Sequence, residues 1–382
     1  MKPASQRTHN VLILGLGAMG SAAAYHLARR GRRVLGVDRF TPPHAFGSSH
    51  GQTRIIREAY YEHPAYVPLV QRAYECWSEL EQDSGQALFQ QTGGLMLGVP
   101  DSALVQGSRR SAETHLLAHE IIDTAETRRR FPALRPPAET VALLEYRAGV
   151  LFPERCIEAH LALARKLGAD LRFDTPVLRW EAEGDGVAVI TANERFHADR
   201  LLLSAGAWTA GLLPELSLPL EIERQVLFWF EPSARRDNFL ASRLPIFVWE
   251  YEPERLFYGF PDLGDGFKVA RHYGGEPADP DHLRREVEAR EVEGMRELLQ
   301  RFLPDADGRL LATAVCMYTN TPDRHFLIDA HPNHPQVWIA SPCSGHGFKF
   351  SSAVGELLAD LLIDGTSRFD LSMFRLRRPW TA

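Results

Sequence analysis

Three glycines and an aspartate near the amino terminus have the types and spacing of a dinucleotide-binding motif. Gly15, Gly17 and Gly20 follow a G-x-G-x-x-G pattern, and Asp38 follows within the same stretch. In such a motif the first glycine permits a tight turn, the second lets the backbone approach a pyrophosphate, and the third lets helix and strand pack closely. A helix that begins here offers free N–H groups to phosphate, and the carboxylate can accept hydrogen bonds from ribose hydroxyls. These residues predict a dinucleotide site, with NAD and FAD equally possible.

The sequence around the glycines predicts a β-α-β unit. Four apolar residues, 11–14, are typical of a buried parallel strand. Residues 21–30 predict a helix that ends at Gly31, a residue suited to a helix carboxyl terminus. A second apolar run, 34–37, predicts the strand that leads to Asp38. A β-α-β unit that binds no nucleotide is the alternative, but it explains the acidic residue less well.

The whole sequence argues against several classes of protein. Its 382 residues suggest two domains, and 43 basic against 49 acidic side chains give a net charge of −6. This balance argues against a nucleic-acid-binding protein, and no apolar run approaches the ~20 residues that span a bilayer. The cysteines lack C-x-x-C or zinc-like spacing, so we expect reduced thiols in a cytoplasmic protein without a metal site. They are Cys76, Cys156, Cys316 and Cys343.

A polar loop after the first unit could reach the far end of a bound dinucleotide. Residues 42–60 combine glycine and serine with His44, His50, Arg54 and Arg57. The two arginines are three positions apart, so on a helical turn their side chains would point the same way. The alternative is a solvated basic turn beside the sheet.

A second glycine loop lies near the carboxyl terminus. A predicted buried strand, 337–340, is followed by Gly345 and Gly347 and then by an apolar helical pattern. Here His346 and Lys349 would add positive charge to the free N–H groups at the start of a helix.

These elements predict an α/β fold with a discontinuous, Rossmann-like domain. A buried strand within 201–208 ends at Gly206, where the backbone could approach the dinucleotide again. The simplest interpretation is that this strand belongs to the same domain as the glycine motif. We therefore assign residues 8–90, 149–220 and 320–382 to the dinucleotide-binding domain.

The remaining residues, 91–148 and 221–319, predict a substrate domain of the α+β type. Closely spaced runs of aromatic and β-branched residues favour an antiparallel sheet. These runs are 226–230, 246–249, 256–260 and 267–270. A long charged helix is predicted from about residue 280 to residue 303.

Four motifs, taken together and in this order, resemble the family of monomeric sarcosine oxidase and N-methyltryptophan oxidase. The resemblance runs nearly from end to end, and the last three motifs are far more specific than a glycine fingerprint. The motifs are Gly15-x-Gly17-x-x-Gly20, the segment from Ser49 to Arg57, the segment from Cys316 to Asp323, and the segment from Ser344 to Phe350.

The resemblance implies an FAD enzyme with a D-amino-acid-oxidase-like fold. Such enzymes oxidise the secondary amine of sarcosine or another N-methyl amino acid to an imine, which water hydrolyses, while O₂ is reduced to H₂O₂. A bulkier or cyclic amine, such as N-methyltryptophan, proline, pipecolate or a fructosyl amino acid, stays open as substrate. So does a dehydrogenase that uses another electron acceptor. The resemblance also favours a monomer.

The resemblance assigns roles to the charged and aromatic residues. It implies that Arg57 and Lys349 hold the substrate carboxylate, and that Arg54 and Lys268 face the flavin, with the lysine at the site of O₂ activation. A lysine in a strand could instead guard the edge of a sheet. The residues implied to line the substrate cavity are Tyr258, His272 and Tyr318.

The resemblance also implies a covalent bond between FAD and Cys316, assisted by His50. Cys343 is the rival thiol because it lies in an accessible glycine-rich loop. Ser49 stands where close relatives often have a second histidine, which leaves substrate identity open. The full set of expected cofactor-binding residues is Gly15, Gly17, Gly20, Asp38, Ser49, His50, Val177, Gly206, Cys316, Gly345, Gly347 and Lys349.

Overall fold

A parallel β-α-β unit begins the part of the chain that the structure, a computed structural model, describes, which is residues 9–380. It consists of strand β1 (His9–Leu14), helix α1 (Ala18–Arg29) and strand β2 (Val34–Val37). The unit confirms the predicted elements, although α1 begins three residues earlier because the N–H of Ser21 already bonds to the carbonyl of Gly17, at 3.0 Å.

The remaining helices and strands have the following bounds. The other helices are α2 (Val67–Ser84), α3 (Ala103–Thr114), α4 (Thr124–Arg130), α5 (Pro153–Lys166), α6 (Ala289–Phe302) and α7 (Ser351–Asp364). The strands up to the middle of the chain are β3 (Arg54–Ile56), β4 (Phe89–Gln91), β5 (Gly94–Gly98), β6 (His119–Ile122), β7 (Val141–Glu145), β8 (Gly149–Leu151), β9 (Asp170–Arg172), β10 (Val177–Glu183), β11 (Gly186–Thr191) and β12 (Arg195–Leu203). The later strands are β13 (Glu221–Phe230), β14 (Ile246–Glu252), β15 (Arg255–Phe260), β16 (Phe267–His272), β17 (Leu310–Asn320), β18 (Leu327–His331) and β19 (His334–Ser341).

The first sheet has a parallel centre in the order β9-β2-β1-β12-β19. Antiparallel strands β10, β11 and β18 extend its edges. Helix α1 packs against α5 and α7 on one face of this sheet. An α/β sheet of this kind places its binding crevice at the carboxyl ends of the parallel strands.

The second sheet has the strand order β17-β13-β16-β15-β14-β5-β7-β6. The antiparallel sheet predicted for the four runs between 226 and 270 is confirmed, because β13 pairs with β16, β16 with β15 and β15 with β14 in antiparallel fashion. Strand β14 also pairs with β5, and these two run parallel. These two strands come from separate excursions of the chain, so no hairpin fixes their relative direction. Helix α6 packs its apolar face onto the sheet through Met295, Leu298, Leu299 and Phe302.

The predicted helix over 280–303 is wrong over its first part, 280–288, because α6 begins only at Ala289. The side chain of Arg224 donates hydrogen bonds to the carbonyls of Arg284 and Glu286, both at 2.7 Å. These carbonyls are therefore held by a side chain. A capping box between Glu288 and Glu291 then starts the helix.

The two sheets draw on different parts of the chain. Strands of the first lie within 9–37, 170–203 and 327–341, and those of the second within 94–145 and 221–320. The proposed division into two domains stays a prediction, and its first residue, Thr8, lies outside the described residues. Within residues 9–380, no helix is both long and apolar enough to cross a membrane.

Candidate active site

A cavity of about 510 Å³ runs from the glycine motif to the second sheet. It brings together most of the residues that the sequence predicts, although these come from widely separated parts of the chain. The predicted residues that line it are Gly15, Gly17, Asp38, Ser49, Arg54, Arg57, Val177, Gly206, Tyr258, His272, Cys316, Tyr318, Gly345, Gly347 and Lys349. Gly20, His50 and Lys268 lie outside its walls.

The three glycines of the motif meet different surroundings. A Cβ atom on Gly15 would lie 2.5 Å from the carbonyl of Ser204, and one on Gly20 would lie 1.8 Å from the carbonyl of Gly15. Both positions therefore need glycine for the close packing of the protein itself. A Cβ atom on Gly17 would meet only the hydroxyl of Ser49, at 3.9 Å. The space above Gly17 is open toward the cavity.

The start of helix α1 fits the phosphates of a dinucleotide. The helix has no acidic residue in its first turn and no side-chain hydrogen bond at its cap, Gly17. Its free N–H groups and partial positive charge are therefore available to an anion. Asp38 accepts hydrogen bonds from the N–H groups of Leu16, at 2.7 Å, and Phe40, at 2.9 Å. Each carboxylate oxygen retains acceptor capacity for a ribose hydroxyl.

Arg57 is one of two cations buried in the cavity wall. Arg54 and Arg57 do not lie on a helical turn, because Arg54 begins β3 and Arg57 follows that strand directly. Arg57 donates hydrogen bonds to the carbonyl of Ala59 and to the carboxylate of Glu62, both at 2.8 Å. Both arginines still line the same cavity.

Glu62 is a functional candidate that sequence reasoning missed. Its side chain is 8% exposed and faces the 3% exposed Arg57. Burial opposes its ionisation, but Arg57, with His346 and Lys349, more than offsets this and lowers the pKa of Glu62 to about 2. An acidic residue shortly after an arginine carries no signal in sequence, because most such pairs lie on the surface.

Lys349 is the second buried cation. Its ammonium donates to the carbonyl of His346 at 2.8 Å and to the hydroxyl of Tyr60 at 3.4 Å. Burial lowers the pKa of Lys349 to about 7; the Arg57 charge acts in the same direction, and Glu62 opposes both.

Arg54 and Lys268 donate hydrogen bonds to the loop over 48–53, whose first two residues line the cavity. Arg54 donates to the carbonyls of Thr53 and Ser48, at 2.8 and 2.7 Å. Lys268 donates to the carbonyl of Gly51 at 2.5 Å and to both oxygens of Thr53, at 3.1 and 2.9 Å. Strand β16 lies between β13 and β15, so the interpretation of Lys268 as an edge residue is wrong. Burial lowers the pKa of Lys268 well below its usual value.

Cys316 lies on β17, where it is 3% exposed and contacts the cavity. Burial raises the pKa of its thiol, while the charges of Arg54 and Lys268 act in the opposite direction. Cys343 also lines the cavity, and burial raises the pKa of its thiol to about 11. The geometry of the pocket alone therefore leaves both thiols available. The Nε2 atom of His50 is buried and has no hydrogen-bond partner among the described residues.

Three polar aromatic residues form the wall beside Cys316. Nδ1 of His272 lies 3.2 Å from the hydroxyl of Tyr318, and the ring of Tyr258 stands perpendicular to the imidazole at 6.0 Å. Burial lowers the pKa of His272 to about 3 and raises the pKa of Tyr258 to about 12. Both side chains are therefore neutral at physiological pH.

Comparison with known proteins places this site in a family. Residues 10–361 match the DAO family, described as FAD dependent oxidoreductase. The chain is 46% identical to a monomeric sarcosine oxidase of Streptomyces avermitilis, over 97% of this chain and 98% of that protein. It is 38% identical to an N-methyl-L-tryptophan oxidase of Salmonella arizonae, over 97% and 99% of the two chains.

Solved structures support the fold prediction. An open form of NikD, an unusual amino acid oxidase essential for nikkomycin biosynthesis, superimposes with a TM-score of 0.84 at 22% identity, covering 97% of this chain and 98% of that chain. L-proline dehydrogenase from P. horikoshii gives 0.81 at 21% identity, with coverages of 97% and 98%. At these identities the likeness concerns the fold alone, and it confirms the predicted α/β fold class.

Gly17 offers a direct test of the cofactor site. Because the protein leaves room for a Cβ atom there, Gly17→Ala should keep the melting temperature of the cofactor-free protein. It should weaken FAD binding about tenfold or more, since a methyl group would occupy the approach to the pyrophosphate. Gly211→Ala is the matched control, because Gly211 lines the same cavity and a Cβ atom there meets nothing within 4 Å. Flavin content per polypeptide and thermal unfolding measure the two effects. Normal FAD affinity in the Gly17 variant would contradict this placement.

Proposed function

The chain belongs to the DAO family of FAD-dependent oxidoreductases, and from this premise we propose that it oxidises the secondary amine of sarcosine or another N-methyl amino acid. The observation that carries the proposal is the pair of buried cations, Arg57 and Lys349, in the wall of the cavity that also contains Cys316. A buried cationic pair beside the neutral side chains of Tyr258, His272 and Tyr318 suits a substrate with one carboxylate. We also propose that the protein acts as a monomer, as the name of the sarcosine oxidase of Streptomyces avermitilis states for that protein.

FAD fits the cavity, with its phosphates at the start of α1 and a ribose at Asp38. When bound, FAD would supply the redox chemistry: it would accept a hydride equivalent from the C–H bond beside the substrate nitrogen while the amine loses its N–H proton, and O₂ would receive the two electrons and two protons to form H₂O₂. The open space above Gly17 and the free N–H groups of α1 support this orientation.

Arg57 and Lys349 would bind and orient the substrate carboxylate. Charge-assisted hydrogen bonds are strongest where water is excluded, and a fixed anion places the amine in one position relative to the reacting bond. With Lys349 protonated, the charges of Arg57, Lys349 and Glu62 sum to one positive unit. That charge suits a monoanionic amino acid.

The amine would bind in its neutral form. The two cations disfavour an ammonium ion nearby. His272 is too weak a base to take the proton, because burial lowers its pKa to about 3. The proton would therefore leave the amine before binding.

Lys268 would act on the oxygen half-reaction. Its bonds to Gly51 and Thr53 fix the ammonium against the loop over 48–53. A positive charge at this place would stabilise negative charge that develops on oxygen. The alternative function, a dehydrogenase with another acceptor, would make no such use of the lysine.

The experiment that tests this function is a peroxide-coupled screen of purified protein. The panel contains sarcosine, N-methylalanine, N-methyltryptophan, proline, pipecolate and fructosylglycine. We expect turnover with at least one N-methyl amino acid, with H₂O₂ formed in step with substrate loss. Substrate loss with an artificial dye but without peroxide would favour the dehydrogenase. No turnover of any N-methyl amino acid would contradict the proposal.

The charge of Lys349 predicts the pH dependence of anion binding. The pKa of Lys349 is about 7, whereas those of Glu62 and His346 are lowered to about 2 and about 4. Of these three groups only Lys349 changes charge between pH 6 and pH 9. Because the protonated form binds anions, the Kd for acetate should be constant between about pH 5.5 and pH 6, where acetate stays ionised, and rise by up to about tenfold per pH unit above pH 7.

The perturbation of the flavin spectrum by acetate measures this affinity. Lys349→Met is the control. It should bind acetate weakly because the ammonium is lost, and its affinity should not change with pH because Arg57 keeps its charge throughout the range. An acetate affinity that is unchanged from pH 6 to pH 9 in the wild type would contradict the assignment.

We further propose that FAD is attached covalently through Cys316. Acid denaturation of the wild type should leave the yellow colour with the precipitated polypeptide. Cys316→Ser should release FAD into the supernatant, whereas Cys343→Ser, the matched control, should behave like the wild type. Retention of colour in the Cys316 variant and its loss in the Cys343 variant would assign the bond to Cys343 instead.

A further inference from the structure

Tyr60 lies against both cations of the proposed carboxylate site. Its side chain is 0% exposed. The guanidinium carbon of Arg57 stands 4.3 Å from the centroid of its ring, and the ammonium of Lys349 stands 5.2 Å from the same centroid. One aromatic ring therefore contacts two cations that are almost 300 positions apart in the sequence.

The histidine of the second glycine loop fixes the direction of the Tyr60 hydroxyl. Nε2 of His346 lies 2.9 Å from the carbonyl of Arg324. A carbonyl only accepts, so Nε2 carries the hydrogen, and in a neutral imidazole Nδ1 is then the acceptor. The Tyr60 hydroxyl lies 2.6 Å from this Nδ1 and therefore donates to it.

This direction leaves the Tyr60 oxygen free to accept a hydrogen bond from Lys349. The ammonium has three hydrogens. One bonds to the carbonyl of His346 and one points to the Tyr60 oxygen, at 2.8 and 3.4 Å. The third remains for a ligand in the cavity, which Lys349 lines.

We propose that Tyr60 is the positioning residue of the carboxylate site. Its ring supports Arg57 and Lys349 together, and its hydroxyl, oriented by His346, directs the lysine toward the anion. This inference rests on the proposed function, because it assigns a role within the same site. Neither Tyr60 nor His346 needs to touch the substrate.

Tyr66 supplies a matched control for a purely structural role. It is also 0% exposed, its ring lies 4.9 Å from that of Tyr60, and its hydroxyl bonds to Nδ1 of another histidine, His325, at 3.1 Å. The contacts within residues 9–380 do not join Tyr66 to Arg57 or Lys349. Removing either hydroxyl thus breaks one buried bond between tyrosine and histidine, but only one of them reaches the cation pair.

The test compares Tyr60→Phe, Tyr66→Phe and wild-type holoenzyme. Binding of acetate and of its uncharged analogue acetamide is followed by perturbation of the flavin spectrum. We expect Tyr60→Phe to bind acetate about tenfold more weakly and acetamide unchanged, while Tyr66→Phe matches the wild type for both ligands. With the amino acid substrate, Tyr60→Phe should raise KM about tenfold and leave kcat within about twofold, because the lost interaction serves ground and transition states equally.

A second pair of variants keeps the inference testable if Tyr60→Phe does not fold. His346→Ala removes the nearer acceptor of the tyrosine hydroxyl and leaves only the backbone carbonyl of the same residue, at 3.3 Å, so it should also weaken acetate binding. His346→Asn keeps an oxygen acceptor near the position of Nδ1 and should restore most of the affinity. A role in packing alone would predict no such rescue.

The outcomes separate the two levels of the proposal. Equal acetate affinities in Tyr60→Phe and Tyr66→Phe would overturn the positioning role of Tyr60 while leaving the carboxylate site intact. A wild-type protein that does not prefer acetate to acetamide would overturn the carboxylate site itself, and the role of Tyr60 with it.

Discussion

The burial of two cations side by side is the constraint on which the rest of the site depends. Arg57 and Lys349 are 3% and 5% exposed, and charge taken out of water is costly unless it is paired and hydrogen-bonded. The protein meets this cost with one carboxylate, that of Glu62, together with backbone carbonyls and the face of an aromatic ring. One positive unit remains uncompensated, and it lies where the substrate carboxylate would bind.

Two further side chains, those of Glu145 and Trp77, form hydrogen bonds with the backbone of the segments that carry the two cations. Glu145, at the end of β7, accepts hydrogen bonds from the N–H groups of Glu58 and Ala59, at 2.7 and 2.8 Å. The indole of Trp77 donates to the carbonyl of Lys349 at 2.9 Å. Burial raises the pKa of Glu145 to about 7, although the two N–H groups favour its ionised form. The geometry of the cation pair therefore depends on the second sheet and on α2, as well as on the loops themselves.

Sequence reasoning succeeded where a local pattern decides the structure. The β-α-β unit around Gly15 follows from periodicity and glycine spacing, and the strand that carries Lys268 follows from a run of aromatic and β-branched residues. It failed where distant contacts decide. Arg224 lies far away in sequence from Arg284 and Glu286, yet its side chain donates hydrogen bonds to their carbonyls, which the predicted helix would have used for its own hydrogen bonds. Glu62 and Tyr60 gave no signal, because their roles arise only when the second glycine loop folds against them.

We propose above all that the buried cations, Arg57 and Lys349, bind a carboxylate and so bring the adjacent amine to FAD. The most direct test of this proposal mixes the holoenzyme, without oxygen, with its best N-methyl amino acid and separately with the carboxamide of that compound. The rate of loss of the flavin's visible absorbance reports transfer of electrons from the amine. We expect the amino acid to bleach the flavin rapidly. At an equal, subsaturating concentration the carboxamide should bleach it at least about 100-fold more slowly, a rate ratio that corresponds to a difference in activation free energy of roughly 2.7 kcal/mol. Equal rates with the two compounds would contradict the proposal.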